Sequence, residues 1–167
     1  MSSFIQGRFD VFPPPITVLR FPAVKDAFVN AHIPTLNYGD TTDLLVGPQY
    51  ESFLGFDLAV LPDEEFLYVK LVLNVPGIPK EEDDILLRAL DGEARWSETG
   101  VTYANRPLER RGLSSQVGGT KRIEFDISGE LHADYDLTGS SLHRFASKES
   151  GQGPYIEVAY LDYEAFR

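Results

Sequence analysis

The clearest constraint on the fold is residues 66–75, whose odd-numbered positions are all apolar while Lys70 and Asn74 interrupt the even-numbered set. Successive side chains of a β-strand point to opposite faces of a sheet, so this pattern predicts a strand with one buried face and one half-exposed face. Residues 123–127 and 155–160 alternate in the same way. A chain built from such segments has to bury one face of each sheet against another layer.

Shorter candidate strands and turn signals occupy most of the remaining chain. Glycine, proline and asparagine clusters separate the candidate strands at regular intervals. Many short strands joined by such turns predict an all-β fold, an antiparallel β-sandwich of the jelly-roll type. Further strands are expected near residues 27–29, 44–46, 53–56 and 85–89, with a short helix as an alternative over residues 80–87. The side chains expected in the core between the two sheets are Leu71, Leu73, Phe125 and Val158.

Residues 1–20 differ from the rest of the chain because they combine three consecutive prolines with many apolar side chains. The prolines hold the backbone extended, and exposed apolar side chains favour burial. We expect an extended N-terminal arm over residues 1–20 and a sandwich domain over residues 21–167. The arm packs either on its own domain or on a neighbour, and its apolar composition favours contacts outside its own domain. Such contacts imply a homo-oligomer or attachment to a larger shell. The arm side chains expected to form them are Phe4, Ile5, Phe9, Val11, Phe12 and Ile16.

The net charge of −11 over 167 residues argues against nucleic-acid binding, because that affinity comes mainly from cationic side chains. No apolar run approaches the roughly 20 residues that span a bilayer, so membrane insertion is not expected. The chain contains no cysteine, which excludes disulfides and thiolate metal sites. The first residues lack the basic and then apolar layout of a secretory signal peptide. We therefore expect a location on a virion, or outside the cell after release by lysis.

Recognisable catalytic motifs are absent from the sequence. It contains no Gly-x-Ser-x-Gly motif, no His-x-x-x-His pair and no glycine-rich phosphate loop. Carboxylates are abundant, and Asp57, Glu98, Asp126 and Glu149 each stand beside an apolar segment, where they also suit turn or cap positions. We expect no catalytic residue, and a small polysaccharide lyase or hydrolase is the alternative.

Seven blocks of residues follow one another in order along residues 21–160. They are VKDAFV with NYG and LLVG (24–47), LGFDL (54–58), WSE (96–98), VTYAN (101–105) with Pro107, IEFDI (123–127), FASKE (145–149) and PYIEV (154–158). Together they resemble the DNRLRE domain family, which includes carbohydrate-binding modules of polysaccharide lyases. The resemblance implies a non-catalytic jelly-roll sandwich that binds polysaccharide. A module that carries no enzyme also fits a phage particle.

A short basic stretch stands out against the acidic background. Its cations are expected to gather on one edge if the two ends of the stretch form a hairpin, where they would bind an acidic glycan or an acidic protein partner, or form a charged rim. Trp96, the only tryptophan, is either a platform for sugar stacking or a core anchor. The basic residues are Arg106, Arg110, Arg111, Lys121 and Arg122.

A calcium ion near the first strands is a further expectation. Asp26, Asn30 and Asp40 offer hard oxygen ligands, which backbone carbonyl groups can complete. Solvated turn residues explain the same three side chains. No other cofactor is expected.

These observations favour a non-catalytic module for binding or assembly. The first hypothesis is a phage virion protein of the head or tail, whose partners are copies of itself or other virion proteins. The alternative is a polysaccharide-binding module that is free-standing or associated with an enzyme.

Overall fold

The computed structural model describes residues 14–79, 81–91 and 95–166. These residues form short β-strands and three single 3₁₀ turns, at Leu58–Val60, Lys148–Ser150 and Tyr163–Phe166. The described part of the chain has no helix with the length and apolar character needed to cross a lipid bilayer. The strands are β1 (Ile16–Pro22), β2 (Lys25–Asn30), β3 (Asp43–Val46), β4 (Tyr50–Gly55), β5 (Phe66–Asn74), β6 (Asp84–Leu90), β7 (Arg110–Val117), β8 (Arg122–Asp126), β9 (Asp134–Gly139), β10 (His143–Ala146) and β11 (Tyr155–Leu161).

The strands form two main antiparallel sheets packed as a sandwich. One sheet has four strands in the order β1-β11-β5-β8, and the other has five in the order β2-β4-β9-β6-β7. Strands β10 and β3 form a separate antiparallel pair. The expected all-β sandwich of jelly-roll type is confirmed. The short helix considered for residues 80–87 is wrong, because β6 begins at Asp84 and buries Ile85 and Leu87 in the core.

The core lies between the two sheets and contains the side chains that alternation assigns to it. Leu71, Leu73, Phe125 and Val158 have no exposed surface. Together with side chains of β4, β6 and β9 they form one continuous apolar cluster. The predicted inward faces of β5, β8 and β11 are therefore confirmed.

The N-terminal boundary of the sandwich lies earlier than residue 21. Strand β1 pairs with β11 along its whole length, from Ile16 opposite Leu161 to Pro22 opposite Tyr155. Leu19 and Phe21 pack against the core. Residues 16–20, which the sequence assigned to the arm, thus form an edge strand of the four-stranded sheet. Of the expected arm side chains, Ile16 is 61% exposed, and the other five lie outside the described residues.

A second apolar cluster covers part of the outer face of the five-stranded sheet. Ala27, Val29 and Phe53 point away from the main core and pack with Leu90 and Val101. Trp96 and Tyr103, from the loop between β6 and β7, pack against the same cluster. We call residues 96–103, which cover this part of the sheet, the roof loop. The four-stranded sheet has no equivalent apolar cluster among the described residues.

Candidate functional site

The outer face of the four-stranded sheet carries polar and aromatic side chains. Because Leu71 and Val158 point into the core, their neighbours along β5 and β11 point outward. Neighbouring strands are in register, so that Arg20, Glu157, Lys70 and Asp126 form one row across the sheet. We name the following outward side chains the tyrosine face: Arg20, Tyr68, Lys70, Arg122, Glu124, Tyr155 and Glu157.

Tyr155 lies between two arginines on this face. The guanidinium carbon of Arg20 lies 4.8 Å from the centre of the Tyr155 ring. Nη1 of Arg122 donates a hydrogen bond of 3.4 Å to the Tyr155 hydroxyl group. The side chains of Arg20 and Arg122 are 57% and 50% exposed, so both retain donors that a ligand can reach. This arrangement places an aromatic ring beside planar cationic groups.

Glu157 organises the centre of the face. It accepts hydrogen bonds of 2.8 Å from Arg20 Nε and from the Tyr68 hydroxyl group, and Lys70 Nζ lies 3.4 Å from its Oε2. Burial raises the pKa of Glu157, but the hydrogen bonds from Tyr68 and Arg20 and the charge of Lys70 outweigh it, so the pKa lies below its ordinary value. An ionised Glu157 therefore fixes the positions of three neighbouring side chains.

The basic stretch does not form a single patch, because β7 and β8 belong to different sheets. Arg106 and Arg110 each form a salt bridge with Glu51, with N–O distances of 3.2 and 3.0 Å. Arg88 binds the same Glu51 at 3.1 Å and the fully buried Asp136 at 2.6 Å. These five side chains form a largely buried ionic cluster on the outer face of the five-stranded sheet.

The other three residues of the basic stretch have separate environments. Both terminal nitrogens of Arg111 bond to the carboxylate of Glu130, and these hydrogen bonds lower the pKa of Glu130 to about 2. Lys121 is exposed. Arg122 alone belongs to the tyrosine face, where it also lies 3.5 Å from Glu124.

Trp96 is a half-buried part of the second apolar cluster. Its ring centre lies 5.9 Å from that of Phe53, and its Nε1 donates a hydrogen bond of 3.2 Å to Asp134. Lys25 Nζ lies 4.1 Å from the ring centre and donates to the Trp96 carbonyl oxygen. A sugar that stacks on that face of the ring has to displace Lys25. The geometry therefore favours the core-anchor interpretation of Trp96.

The three side chains expected to bind calcium do not share one site. Asp26 lies beside Glu98 and Glu149, and one oxygen of each lies within 4.8 Å of the others. Asn30 Oδ1 already accepts hydrogen bonds from His32 N and Gln49 Nε2.

The third expected ligand, Asp40, is exposed and lies outside this group of carboxylates. In the sequence, Glu98 and Glu149 stand out only as carboxylates next to apolar segments. The sequence has no signal that joins them to Asp26, because the three are brought together only by the fold.

One end of the sandwich also contains an open cavity of about 350 Å³. It lies between the loop that follows β5 and strand β10, and its lining is mainly apolar. Ile78 and Leu142, which line it, are 81% and 51% exposed. His143 lines the wall and binds Asp83 through Nε2 at 2.8 Å. The cavity offers fewer charged donors to a sugar than the tyrosine face does.

An antiparallel β-sandwich with an open, polar and aromatic sheet face has the architecture of a binding module. The chain matches the model of carbohydrate-binding module family 96 over residues 17–160, and it belongs to that family. This membership confirms the carbohydrate-binding part of the sequence resemblance and agrees with the expected non-catalytic class. No curated protein matches the chain.

Proposed function

We propose that this module binds a polysaccharide on the tyrosine face. The observation that carries the proposal is Tyr155, which lies on an open sheet face with Arg20 over its ring and Arg122 at its hydroxyl group. Sugar rings pack their C–H faces on aromatic rings, and their hydroxyl groups pair with fixed polar side chains.

The spacing of the two tyrosines suits a chain of sugars rather than a single one. Tyr155 is opposite Val72, and Tyr68 lies four residues from Val72 on the same face of β5. Four residues of an extended strand span about 13 Å, at about 3.3 Å per residue. An extended ligand can therefore contact both aromatic side chains as it lies along the strands.

The exposed guanidinium groups favour a glycan with carboxylate or sulfate groups. Arginine binds such groups with two parallel hydrogen bonds, and Arg20 and Arg122 are both at least half exposed. In a chain with a net charge of −11, the accessible cations of this face reduce the repulsion that an acidic glycan meets there. The ligand class that we propose is therefore an acidic, uronate-rich polysaccharide.

Affinity electrophoresis and calorimetry with alginate, polygalacturonate and a neutral glucan test this proposal. Tyr155→Ala and Arg122→Ala are each expected to weaken binding of the acidic glycan about tenfold, which is about 1.4 kcal/mol. Tyr163→Ala is the matched aromatic control, because Tyr163 is 60% exposed and follows the end of β11.

Lys121→Ala is the matched charge control, because Lys121 is exposed and immediately precedes β8. Both controls are expected to bind as the unsubstituted chain does. Equal losses in the test and control variants would place the glycan elsewhere on the molecule. Stronger binding of the neutral glucan would contradict the acidic ligand.

We further propose that the module works on a phage particle, which it joins through the N-terminal segment. The supporting observation is β1, an edge strand whose outward side chains Ile16 and Val18 are 61% and 49% exposed. Such an apolar edge favours a covering partner. The location that follows is the virion, or the extracellular medium after release.

Deletion of residues 1–13 combined with Ile16→Ser and Val18→Ser tests the assembly proposal, because it removes both the preceding segment and the exposed apolar edge of β1. The full chain is expected to form oligomers in light scattering, and the truncated chain to be a folded monomer that still binds glycan. A full chain that is strictly monomeric and binds no particle protein would remove the assembly role, while the glycan proposal would stand.

A further inference from the structure

Three carboxylates from distant parts of the chain converge at one edge of the five-stranded sheet. Asp26 lies on β2, Glu98 lies in the turn between β6 and β7, and Glu149 lies in the 3₁₀ turn before β11. One oxygen atom from each carboxylate lies within 4.8 Å of the other two. Like charges repel at this range, so the fold holds these groups together against their electrostatic interaction.

Asp26 is the buried member of the group, with 1% of its surface exposed. Its Oδ2 accepts a hydrogen bond of 2.8 Å from the backbone N–H of Lys148. Its Oδ1 is buried and is the one side-chain atom of the described residues found buried without a hydrogen-bond partner. Buried carboxylate oxygens are normally paired with a donor, and no described residue donates a hydrogen bond to this one.

Charge compensation within the group is incomplete. Lys148 Nζ lies 3.2 Å from Glu98 and 2.8 Å from Glu149, which provides one cation for three carboxylates. The site therefore favours additional positive charge.

Backbone contacts hold the carboxylates in place before any ligand binds. Glu98 Oε1 accepts a hydrogen bond of 3.0 Å from the backbone N–H of Asp26. The backbone carbonyl oxygen of Glu98 accepts a hydrogen bond of 2.9 Å from the side chain of Asn37. A Cβ atom at Gly39 would lie 1.9 Å from that same oxygen, so only glycine permits this close approach. Such preorganisation reduces the cost of binding a ligand.

We propose that Asp26, Glu98 and Glu149 form a Ca²⁺ site. Calcium binds oxygen ligands at 2.3–2.6 Å, so two oxygens on one ion lie at most about 5.2 Å apart, and the observed grouping falls within that limit. The unpaired Oδ1 of Asp26 gains a partner, and the excess negative charge is neutralised. Water molecules and flexible carboxylates complete a coordination sphere that calcium tolerates better than magnesium does.

The ion joins three segments that the backbone connects only indirectly: β2, the roof loop between β6 and β7, and the turn that leads into β11. A ligand that binds only the folded state stabilises it in proportion to its affinity and concentration. The structure therefore assigns this site a role in fixing the roof loop and the start of β11 to the sandwich.

Thermal unfolding of the full chain with calcium, magnesium or EDTA tests the site. The melting temperature is expected to rise with millimolar Ca²⁺ and to fall back with EDTA, with a smaller rise for Mg²⁺. Asp26→Asn and Glu149→Gln are expected to abolish the calcium response, while Glu64→Gln, at an exposed loop position, keeps it. Glu149→Gln keeps the test decisive if Asp26→Asn fails to fold, because Glu149 is only partly buried.

A spectroscopic measurement locates the ion independently of stability. Trp96 is the only tryptophan and lies two residues from Glu98, so Tb³⁺ bound at the site is expected to luminesce on excitation of Trp96. Calcium should displace this signal, and Glu149→Gln should remove it. The proposal is overturned if calcium and EDTA leave the melting temperature unchanged, if magnesium stabilises equally, or if Glu149→Gln responds as the unsubstituted chain does.

Discussion

The hydroxyl group of Tyr68 donates a hydrogen bond of 2.8 Å to Oε2 of Glu157, across neighbouring strands β5 and β11. Glu157 is 5% exposed, and it holds Arg20 and Lys70 in place as well. The glycan face that we propose therefore depends on one buried carboxylate, whose ionisation positions the side chains around it.

Glu157→Gln is expected to lower the free energy of unfolding by about 1–3 kcal/mol at neutral pH, because bonds to a charged acceptor are lost. The pKa of Glu157 is lowered from 4.5 in the fold. The stabilisation by ionised Glu157 is therefore complete above its pKa in the unfolded chain, and it is lost as the pH falls through its pKa in the folded protein. Urea unfolding from pH 7 to pH 3 should show the two proteins converging at low pH. A difference that is constant with pH would contradict the assignment.

Leu71→Ala is expected to cost about 2–5 kcal/mol of stability, because Leu71 is fully buried between the sheets. Leu67→Ala, at a 52% exposed position of the same strand, should change stability by less than about 0.5 kcal/mol. Chemical denaturation measures both. Similar costs for the two variants would mean that Leu71 is not buried between the sheets.

Arg110→Ala is expected to destabilise the fold by about 1–3 kcal/mol while leaving polysaccharide affinity unchanged. Arg110 is 14% exposed and neutralises Glu51 in the ionic cluster, so its loss leaves a buried carboxylate undercompensated. Calorimetry on the folded protein separates the two effects. Loss of glycan binding without loss of stability would indicate that the basic stretch binds the glycan.

Gly39→Ala is expected to lower both the melting temperature and its response to calcium. The added Cβ would collide with the Glu98 carbonyl oxygen and displace a proposed calcium ligand. Gly129→Ala is the matched control, because nothing lies within 4 Å of a Cβ built there. Differential scanning fluorimetry with and without calcium compares them. An unchanged calcium response in Gly39→Ala would argue against Glu98 as a ligand.

Lys148→Met removes the internal cation of the acidic group but keeps the backbone N–H that binds Asp26. We expect a lower melting temperature than the unsubstituted chain in EDTA and a larger increase on addition of calcium, because the ion replaces the missing charge. The same fluorimetry experiment tests this. A calcium-induced increase no larger than that of the unsubstituted chain would show that Lys148 does not compete with calcium.

Alternation predicted the strands whose inward face carries several large apolar side chains, and it missed strands whose apolar side chains are few or only partly buried. Strands β5, β8 and β11 were predicted from alternation, and the strands expected near residues 27–29, 44–46, 53–56 and 85–89 correspond to β2, β3, β4 and β6. Strand β9 reads DYDLTG and buries Tyr135 and Leu137 between acidic and small residues, and the edge strand β7 has only partly buried apolar side chains. Strand β1 was assigned to an arm because three prolines precede it, and its pairing with β11 is a contact between the two ends of the chain.

The candidate sites were predictable only in part, because residues that are close in the sequence are not always close in the fold, and distant ones can meet. Arg110 and Arg122 are close in the sequence but lie on strands of different sheets. Asp26 and Glu149 are far apart in the sequence and meet through the fold. In β5 and β11, the residues that alternate with the predicted inward residues point outward. Tyr68 and Tyr155 occupy such positions, so this part of the tyrosine face could have been predicted from the sequence.

The pairing of Ile16 with Leu161 places the entry and exit of the sandwich side by side at one corner. Asp162 N and Pro15 O, 2.8 Å apart, close that corner. A domain with adjacent ends can be spliced into a surface loop of another protein, or attached from either end, without distorting its sheets. Attachment of this module to a host would therefore constrain only that one corner of the sandwich.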